Sequence, residues 1–502
     1  MSDLERLAAG VVLVGFSGTA LDEELRELFA AHDFAGYLLF ARNVQSIEQV
    51  RRLNDELRAL HELSPLLAVD QEGGRVMRLT SGVEPIPPMM AVGASGRTSL
   101  AENVGEQIAF DLRRAGFTLD FAPVVDLALD ARNSVIGSRS FGSDPEIVGM
   151  LGTAVASGLQ RGGIAATLKH FPGHGATASD SHIELPIVEA DAKTILQRDL
   201  VPFARALPSV SAVMTAHVVV RAFDSEKPAT LSKKLLTGVL REELGFSGVC
   251  FTDCMQMDAI ARGIGTANGV AAAIAAGADC AVVSHDPTLA LEAAKHIVRA
   301  VQNRALPIER LEEAYDRVQQ LRRAARPPLP LDASSPHPGI GREVARAAVT
   351  ALRGTPHVDP TAAIAVSFEG ATTEGAQGRH EEHLSLQREA PALETIVAPL
   401  EPQNGEFETL VRRVENAARR PVLLMRRAHV YSQQLRAIET LVRRFPDAVV
   451  VSLREPYDCA LVPEARHLLA AYGDDEACIG AVADVLFGNA AASGTLPVAI
   501  DG

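Results

Sequence analysis

A (β/α)8 barrel of the TIM type, followed by a smaller α/β domain, is the fold class predicted by this 502-residue sequence. Three observations predict it. Eight short apolar runs precede residue 290, and amphipathic stretches separate them. A proline-rich break then interrupts secondary structure, and a second strand–helix alternation follows it. The division implied is 1–325 for the barrel, 326–344 for a linker and 345–502 for the second domain.

In chain order, the eight runs are VVLVGF from Val11, AGYLLF from Ala35, PLLAVD from Pro65 and TLDFAP from Thr118. IAATLK from Ile164, SAVMTA from Ser211, GVCFTD from Gly248 and DCAVVS from Asp279 complete the set. Near-continuous apolar character is what parallel strands buried on both faces require. Helical periodicity marks the intervening pieces, such as SIEQVRRLNDELRALHEL and SLAENVGEQIAFDLRRAG. Alternation by itself also permits an open doubly wound sheet. The helical stretch IERLEEAYDRVQQLRRAA closes the region, and prolines 327, 328, 330, 336 and 338 make the next segment a semi-rigid linker. Beyond it, AIAVSF from Ala363, VLLMRR from Val422 and AVVVSL from Ala448 read as strands of a three-layer domain, and ATTEGAQGRHEEHLSLQ reads as a surface loop.

Composition narrows the function. Lys and Arg number 48 against 63 Asp and Glu, so 48 − 63 leaves −15, which argues against a nucleic-acid partner. No apolar run reaches the ~20 residues of a membrane span. The acidic start MSDLERLAAG lacks the basic region of a signal peptide, and the five cysteines (250, 254, 280, 459, 478) do not make a disulfide framework. A cytoplasmic protein with reduced thiols is expected.

In such a barrel the chemistry collects at the carboxyl ends of the strands. There the sequence places Asp70, Asp126, Lys169-His170, His217, Asp253 and Ser284-His285. The densest stretch is KHFPGHGATASDSH, residues 169–182, whose Gly173 and Gly175 suit a mobile active-site loop. Asp180 and His182 are two apart, so an extended backbone turns them the same way, and a carboxylate beside an imidazole suits general acid–base work. A metal site at His170, His174 and His182 is disfavoured. The spacing fits no helical zinc pattern, and Lys169 would place a cation beside the ion. No metal and no cofactor are expected. Gly263–Gly269 misses the dinucleotide spacing, and His380-Glu-Glu-His383 misses that of a zincin.

Three motifs together, DQEGGRVMRL (70–79), KHFPGHGATASDSHIELP (169–186) and FTDCMQMDAI (251–260), resemble glycoside hydrolase family 3, in its bacterial β-N-acetylhexosaminidase subgroup. GYLLFARN, DFAPVVDLA, IGSRSFGSDP and TAHVVV support the resemblance, and ADVLFGNAAASGTLPVAI resembles the end of the family's second, α/β sandwich domain. The resemblance implies a retaining mechanism with Asp253 as nucleophile and His182, partnered by Asp180, as acid/base. It implies substrate contacts from Asp70, Arg78, Arg139, Lys169 and His170. Charged side chains suit the hydroxyls of one sugar, and a chain with no Trp and five Tyr has few platforms for a long glycan. Cys254 departs from the small or acidic residue associated with its position in the subgroup.

The expected activity is removal of terminal β-linked GlcNAc from a glycoside or a peptidoglycan-derived muropeptide. The rivals are a β-glucosidase or β-xylosidase, a phosphorylase using phosphate instead of water, and an inactive sugar-binding protein.

Overall fold

The computed structural model of the protein describes residues 2–133, 135–177, 185–369, 372–374, 378–380 and 386–500. Eight strands close into a barrel: β1 (Val12–Gly15), β2 (Gly36–Leu38), β3 (Leu66–Val69), β4 (Leu119–Asp120), β5 (Ala165–Phe171), β6 (Ala212–Thr215), β7 (Val249–Cys254) and β8 (Cys280–Val283). Each pairs in parallel with its sequence neighbours, and β8 returns to β1. All eight apolar runs therefore became barrel strands, and the open-sheet alternative is excluded. The fourth is shorter than its run. Pro123 has no N–H to give a ladder, and only an isolated bridge from Val124 to Lys169 continues the pairing.

Alternation along the strands sorts side chains into two cores. Leu13, Leu38, Ala68, Leu119, Met214, Phe251 and Val282 fill the barrel interior, where Phe121 meets Phe251 edge to face at 5.3 Å. The opposite faces pack against helices. In α1 (Ile47–Ala59), Ile47, Val50, Leu53 and Leu57 make the buried stripe, and Ser46 caps the helix by accepting the Gln49 N–H. Asp144 caps α2 (Pro145–Arg161), whose Pro145 starts the helix where no N–H is needed. The helix α3 (Ile308–Ala324) closes the amino-terminal end of the barrel. Val318 and Leu321 enter the interior core, and buried Arg322 binds the carbonyls of Leu63 and Ser64 and pairs with Asp33 at 2.9 Å.

Residues 325–339 form neither helix nor strand, but the segment is fastened to the barrel. Arg51 donates to the Leu329 carbonyl, Arg113 to that of Pro327 and Arg114 to that of Leu331. Next comes α4 (Ile340–Ala348), which opens a six-stranded sheet: β9 (Thr350–Arg353), β10 (Ala363–Glu369), β11 (Glu394–Pro399), β12 (Arg420–Met425), β13 (Val449–Ser452) and β14 (His467–Ala470). The spatial order is β9–β14–β13–β12–β10–β11, and only β9 runs antiparallel. Val422 and Leu424 face the layer built by α4 and α5 (Glu476–Leu486), while Leu423 and Met425 face helices Asn404–Ala417 and Ser432–Arg444. This is an α/β sandwich. The stretch read as a surface loop contributes two short antiparallel strands, Thr372–Glu374 and Gly378–His380. Among the described residues no helix is long and apolar enough to cross a membrane.

Candidate active site

The carboxyl ends of the barrel strands surround a cavity of about 550 Å³. Asp70, Arg78, Arg139, Lys169, His170 and Asp253 all line it, with Phe121, Met214 and Val282 among its apolar residues. Six of the eight residues expected from the sequence thus converge on one space. Asp180 and His182 lie outside the described residues.

One wall is an ion-pair network. Asp70 follows β3, and Glu72 lies two residues further on, in the hairpin strand Gln71–Gly73. Arg139 grips Glu72 with two nitrogens, at 2.7 and 2.8 Å, and donates a third bond to the Val135 carbonyl. Lys169 Nζ bridges both acids, 2.8 Å from Asp70 and 2.5 Å from Glu72, while Arg78 stands 3.5 Å from Asp70. Burial pushes the pKa of each acid up. Lys169 and Arg78 at Asp70, and Arg139 and Lys169 at Glu72, outweigh that effect and hold both carboxyls below the usual range. Burial likewise works against the charge of Lys169 and Arg139, yet the acids keep both pKa values raised. Fixed, dehydrated charges of both signs can hold hydroxyls without reorganising.

A second wall is built on Asp126, which is fully buried. It accepts the His170 N–H at 3.1 Å, His170 Nδ1 at 2.7 Å and the His174 N–H at 2.7 Å. Since a carboxylate only accepts, Nδ1 carries a proton and Nε2 is the ring's other polar atom. Pairing of β5 with β6 is irregular between Leu168 and Phe171, and the adjacent Lys169 and His170 both line the cavity. Beyond them, the Asn133 amide donates to the carbonyls of His174 and Gly175. A Cβ on Gly175 would stand 1.8 Å from the Leu127 carbonyl, so only glycine fits there.

Opposite these walls, Asp253 is the next-to-last residue of β7, and its Oδ1 accepts the Cys254 N–H at 2.7 Å. His217, the sixth-strand candidate, does not line the cavity. Buried, it donates Nε2–H to the Cys254 carbonyl at 2.9 Å and meets the Thr230 hydroxyl through Nδ1 at 2.8 Å, so it fixes the backbone beside Asp253. Cys254 Sγ contacts Ser284 Oγ, which contacts His285 Nδ1. His285 stacks on Phe40, and Arg42 lies over the same ring at 4.4 Å. Cys250 is a packing residue, its thiol pushed up to about 12 by burial.

Sequence reading did not single out Glu72, although its separation of two from Asp70 places both on one side of an extended chain. It assigned no partner to Asp126. Asp120 was also missed. It is fully buried in β4, accepts the Gln71 N–H at 2.9 Å, and is pushed well up in pKa by burial. An acid inside an apolar strand run was the available signal. Among the described residues no group of three or more His, Cys, Asp or Glu could hold a metal ion.

Residues 4–321 match the family described as the glycosyl hydrolase family 3 N terminal domain. A β-hexosaminidase of Chromobacterium violaceum is 44% identical over 289 residues, which span 56% of this chain and 80% of that one. Among solved structures, a glycoside hydrolase family 3 β-N-acetylglucosaminidase from Paenibacillus sp. str. FPU-7 superposes with a TM-score of 0.91 at 31% identity, covering 100% of this chain and 99% of its own. NagZ from Neisseria gonorrhoeae, in complex with N-trifluoroacetyl-D-glucosamine, is 33% identical with a TM-score of 0.52 and covers 62% of this chain and 98% of its own.

Proposed function

The chain belongs to glycoside hydrolase family 3 and is a glycoside hydrolase, and on that premise we propose a retaining exo-β-N-acetylglucosaminidase that removes terminal β-linked GlcNAc. The observation that carries this reading is the meeting of Asp253 with the Asp70–Lys169–Glu72–Arg139 network in one cavity of about 550 Å³. Similarity to a β-N-acetylglucosaminidase over the whole chain supports the choice of sugar.

In the proposed reaction, Asp253 attacks the anomeric carbon as the bond to the aglycone oxygen breaks, and His182 gives its proton to that oxygen. Water then attacks the same carbon, returns a proton to His182 and frees Asp253; two inversions retain configuration. Asp180 orients His182 and favours its cationic form. Asp70, Lys169 and His170 hold ring hydroxyls, and Arg78 and Arg139 hold ring or acetamido oxygens. The division into 1–325, 326–344 and 345–502, a cytoplasmic location and a muropeptide-derived substrate belong to the same proposal.

The test is hydrolysis of nitrophenyl β-GlcNAc beside the β-glucoside and β-xyloside, each with and without phosphate. Turnover of the GlcNAc substrate independent of phosphate is expected, and a preference for glucoside, or a phosphate requirement, overturns the reading. With the activated aglycone, His182→Ala should accumulate the covalent intermediate, and azide, which needs no general base, should restore turnover as the β-glycosyl azide. A variant that shows no azide rescue removes His182 from the mechanism.

A further inference from the structure

The loop that follows β4 carries Val135 and Arg139 into the site, and it lies against the second domain at three points. The Tyr457 hydroxyl reaches the Ala128 carbonyl at 3.4 Å. Glu455 Oε1 accepts the Ser138 N–H at 3.3 Å, one residue before Arg139. The Pro497 carbonyl accepts the Ser143 N–H at 3.0 Å. None of these three second-domain residues lines the cavity.

The middle contact is shaped on both sides. Gly137 has φ +44, and a Cβ there would stand 2.7 Å from Glu455 Oε1, so the barrel omits a side chain where the carboxylate enters. Burial raises the Glu455 pKa, but Arg454 and Arg427 overcome this and hold the carboxyl below its usual range. A charged acceptor on a backbone N–H is a stronger restraint than a neutral one. That N–H belongs to the short turn Gly137–Arg139, whose last residue clamps Glu72. The same loop reaches the His174 and Gly175 carbonyls through Asn133.

We propose that Glu455 of the second domain is a positioning residue for the substrate site: it fixes the Gly137–Arg139 turn, flanked by the Tyr457 and Pro497 contacts, and so sets substrate affinity from outside the cavity. The role rests on the reading of Arg139 as a substrate contact. Through these contacts the sandwich domain is part of the catalytic unit, although Glu455, Tyr457 and Pro497 themselves do not line the cavity. Loss of the restraint acts first on ground-state binding, because the nucleophile candidate Asp253 is held on β7, a different element.

The experiment measures kcat and KM separately with nitrophenyl β-GlcNAc for Glu455→Ala, Glu455→Gln, Gly137→Ala and Arg139→Lys. Glu455→Ala should raise KM roughly tenfold, on the scale of one hydrogen bond to a charged group, with kcat changed less than about threefold. Glu455→Gln keeps an oxygen for the Ser138 N–H and should recover most of the loss. Gly137→Ala should reproduce the defect from the barrel side, which keeps the test decisive if Glu455→Ala fails to fold. Amide hydrogen exchange of peptides covering 128–143 should quicken in Glu455→Ala while peptides of β1 and β8 stay protected. Wild-type KM in Glu455→Ala and Gly137→Ala, beside a raised KM in Arg139→Lys, overturns the proposal and leaves the assigned activity standing. If the wild type turns over no GlcNAc substrate, the activity reading falls by itself. The exchange arm then decides whether Glu455 fixes the turn, and unchanged exchange overturns it.

Discussion

Two aspartate–histidine pairs in this molecule are built alike and placed differently. Asp126 accepts the backbone N–H and Nδ1 of His170, and a further N–H from His174. Asp458, in the sandwich domain, accepts the backbone N–H and Nδ1 of His429, at 3.0 and 2.6 Å, and a further N–H from Ala428 at 2.8 Å. Both carboxylates are buried, and each fixes the tautomer of its ring. Yet His170 lines the cavity with Asp253 and Lys169, whereas His429 follows β12 and does not line it. The pair is a way to fasten a loop after a strand. Chemistry enters where a reacting carboxylate and a prepaid field of charges stand opposite it.

The hardest way to break the comparison is to remove that carboxylate. Asp253→Ala should cut kcat/KM by at least ~10³-fold, since losing a covalent route costs several kcal/mol at ~1.4 kcal/mol per decade. The melting temperature should hardly move. A 2-fluoro glycoside should label Asp253 in the wild type, read by peptide mapping. A label on Asp279 would contradict the barrel geometry, because that residue precedes β8 at the other end, where Arg317 holds it at 3.0 Å together with Arg241 and Arg310.

Next in size is the paired test itself. His170→Gln should lower kcat/KM about 10–100-fold, the range of a lost charge-assisted contact. His429→Gln should leave kcat/KM within about threefold and instead lower the melting temperature by a few degrees, because Asp458 loses a partner while buried. Equal losses of activity in the two variants would show that the pairs are not functionally distinct.

How far such distinctions were legible in the sequence depended on distance along the chain. Barrel strands were readable because burial on both faces makes them apolar throughout, as in VVLVGF and DCAVVS. Edge strands β9 and β11 were not: TALR and ETIVAP mix polar and apolar residues because one face or one edge meets solvent. β14, which begins at a polar, half-buried His467, was missed as well. In the site, Asp70, Lys169, His170 and Asp253 stood out as ionisable groups ending apolar strands. Glu72 did not, because its partners Arg139 and Lys169 are 67 and 97 positions away (139 − 72 and 169 − 72). The Ser138–Glu455 contact spans 317 residues, and no local pattern carries it.

The smallest effect tests what the barrel pair has beside it, a second histidine whose ring sits 6.2 Å from the first. His174 is buried, and burial pushes its pKa down from 6.5 to about 4 despite the attraction of Asp126. Folded protein therefore keeps this ring neutral where the unfolded chain binds a proton, and stability rises with pH over that interval. The contribution is complete above pH ~6.5 and is lost as pH falls toward ~4, amounting to about 3 kcal/mol across the window. Asp126, whose own pKa is depressed, loses its contribution only as pH falls below the ordinary carboxylate value near ~3.9, so the two effects separate on the pH axis. His174→Asn keeps a polar side chain facing the Thr177 hydroxyl, which lies 2.9 Å from His174 Nδ1, and cannot titrate. Urea midpoints measured between pH 7 and 5 should fall less steeply in the variant than in the wild type, with little difference at pH 7.5, where the ring is neutral in both states. Parallel slopes would mean that His174 is not buried as a neutral ring, and its imidazole would then bring a positive charge to the cavity wall around Asp126.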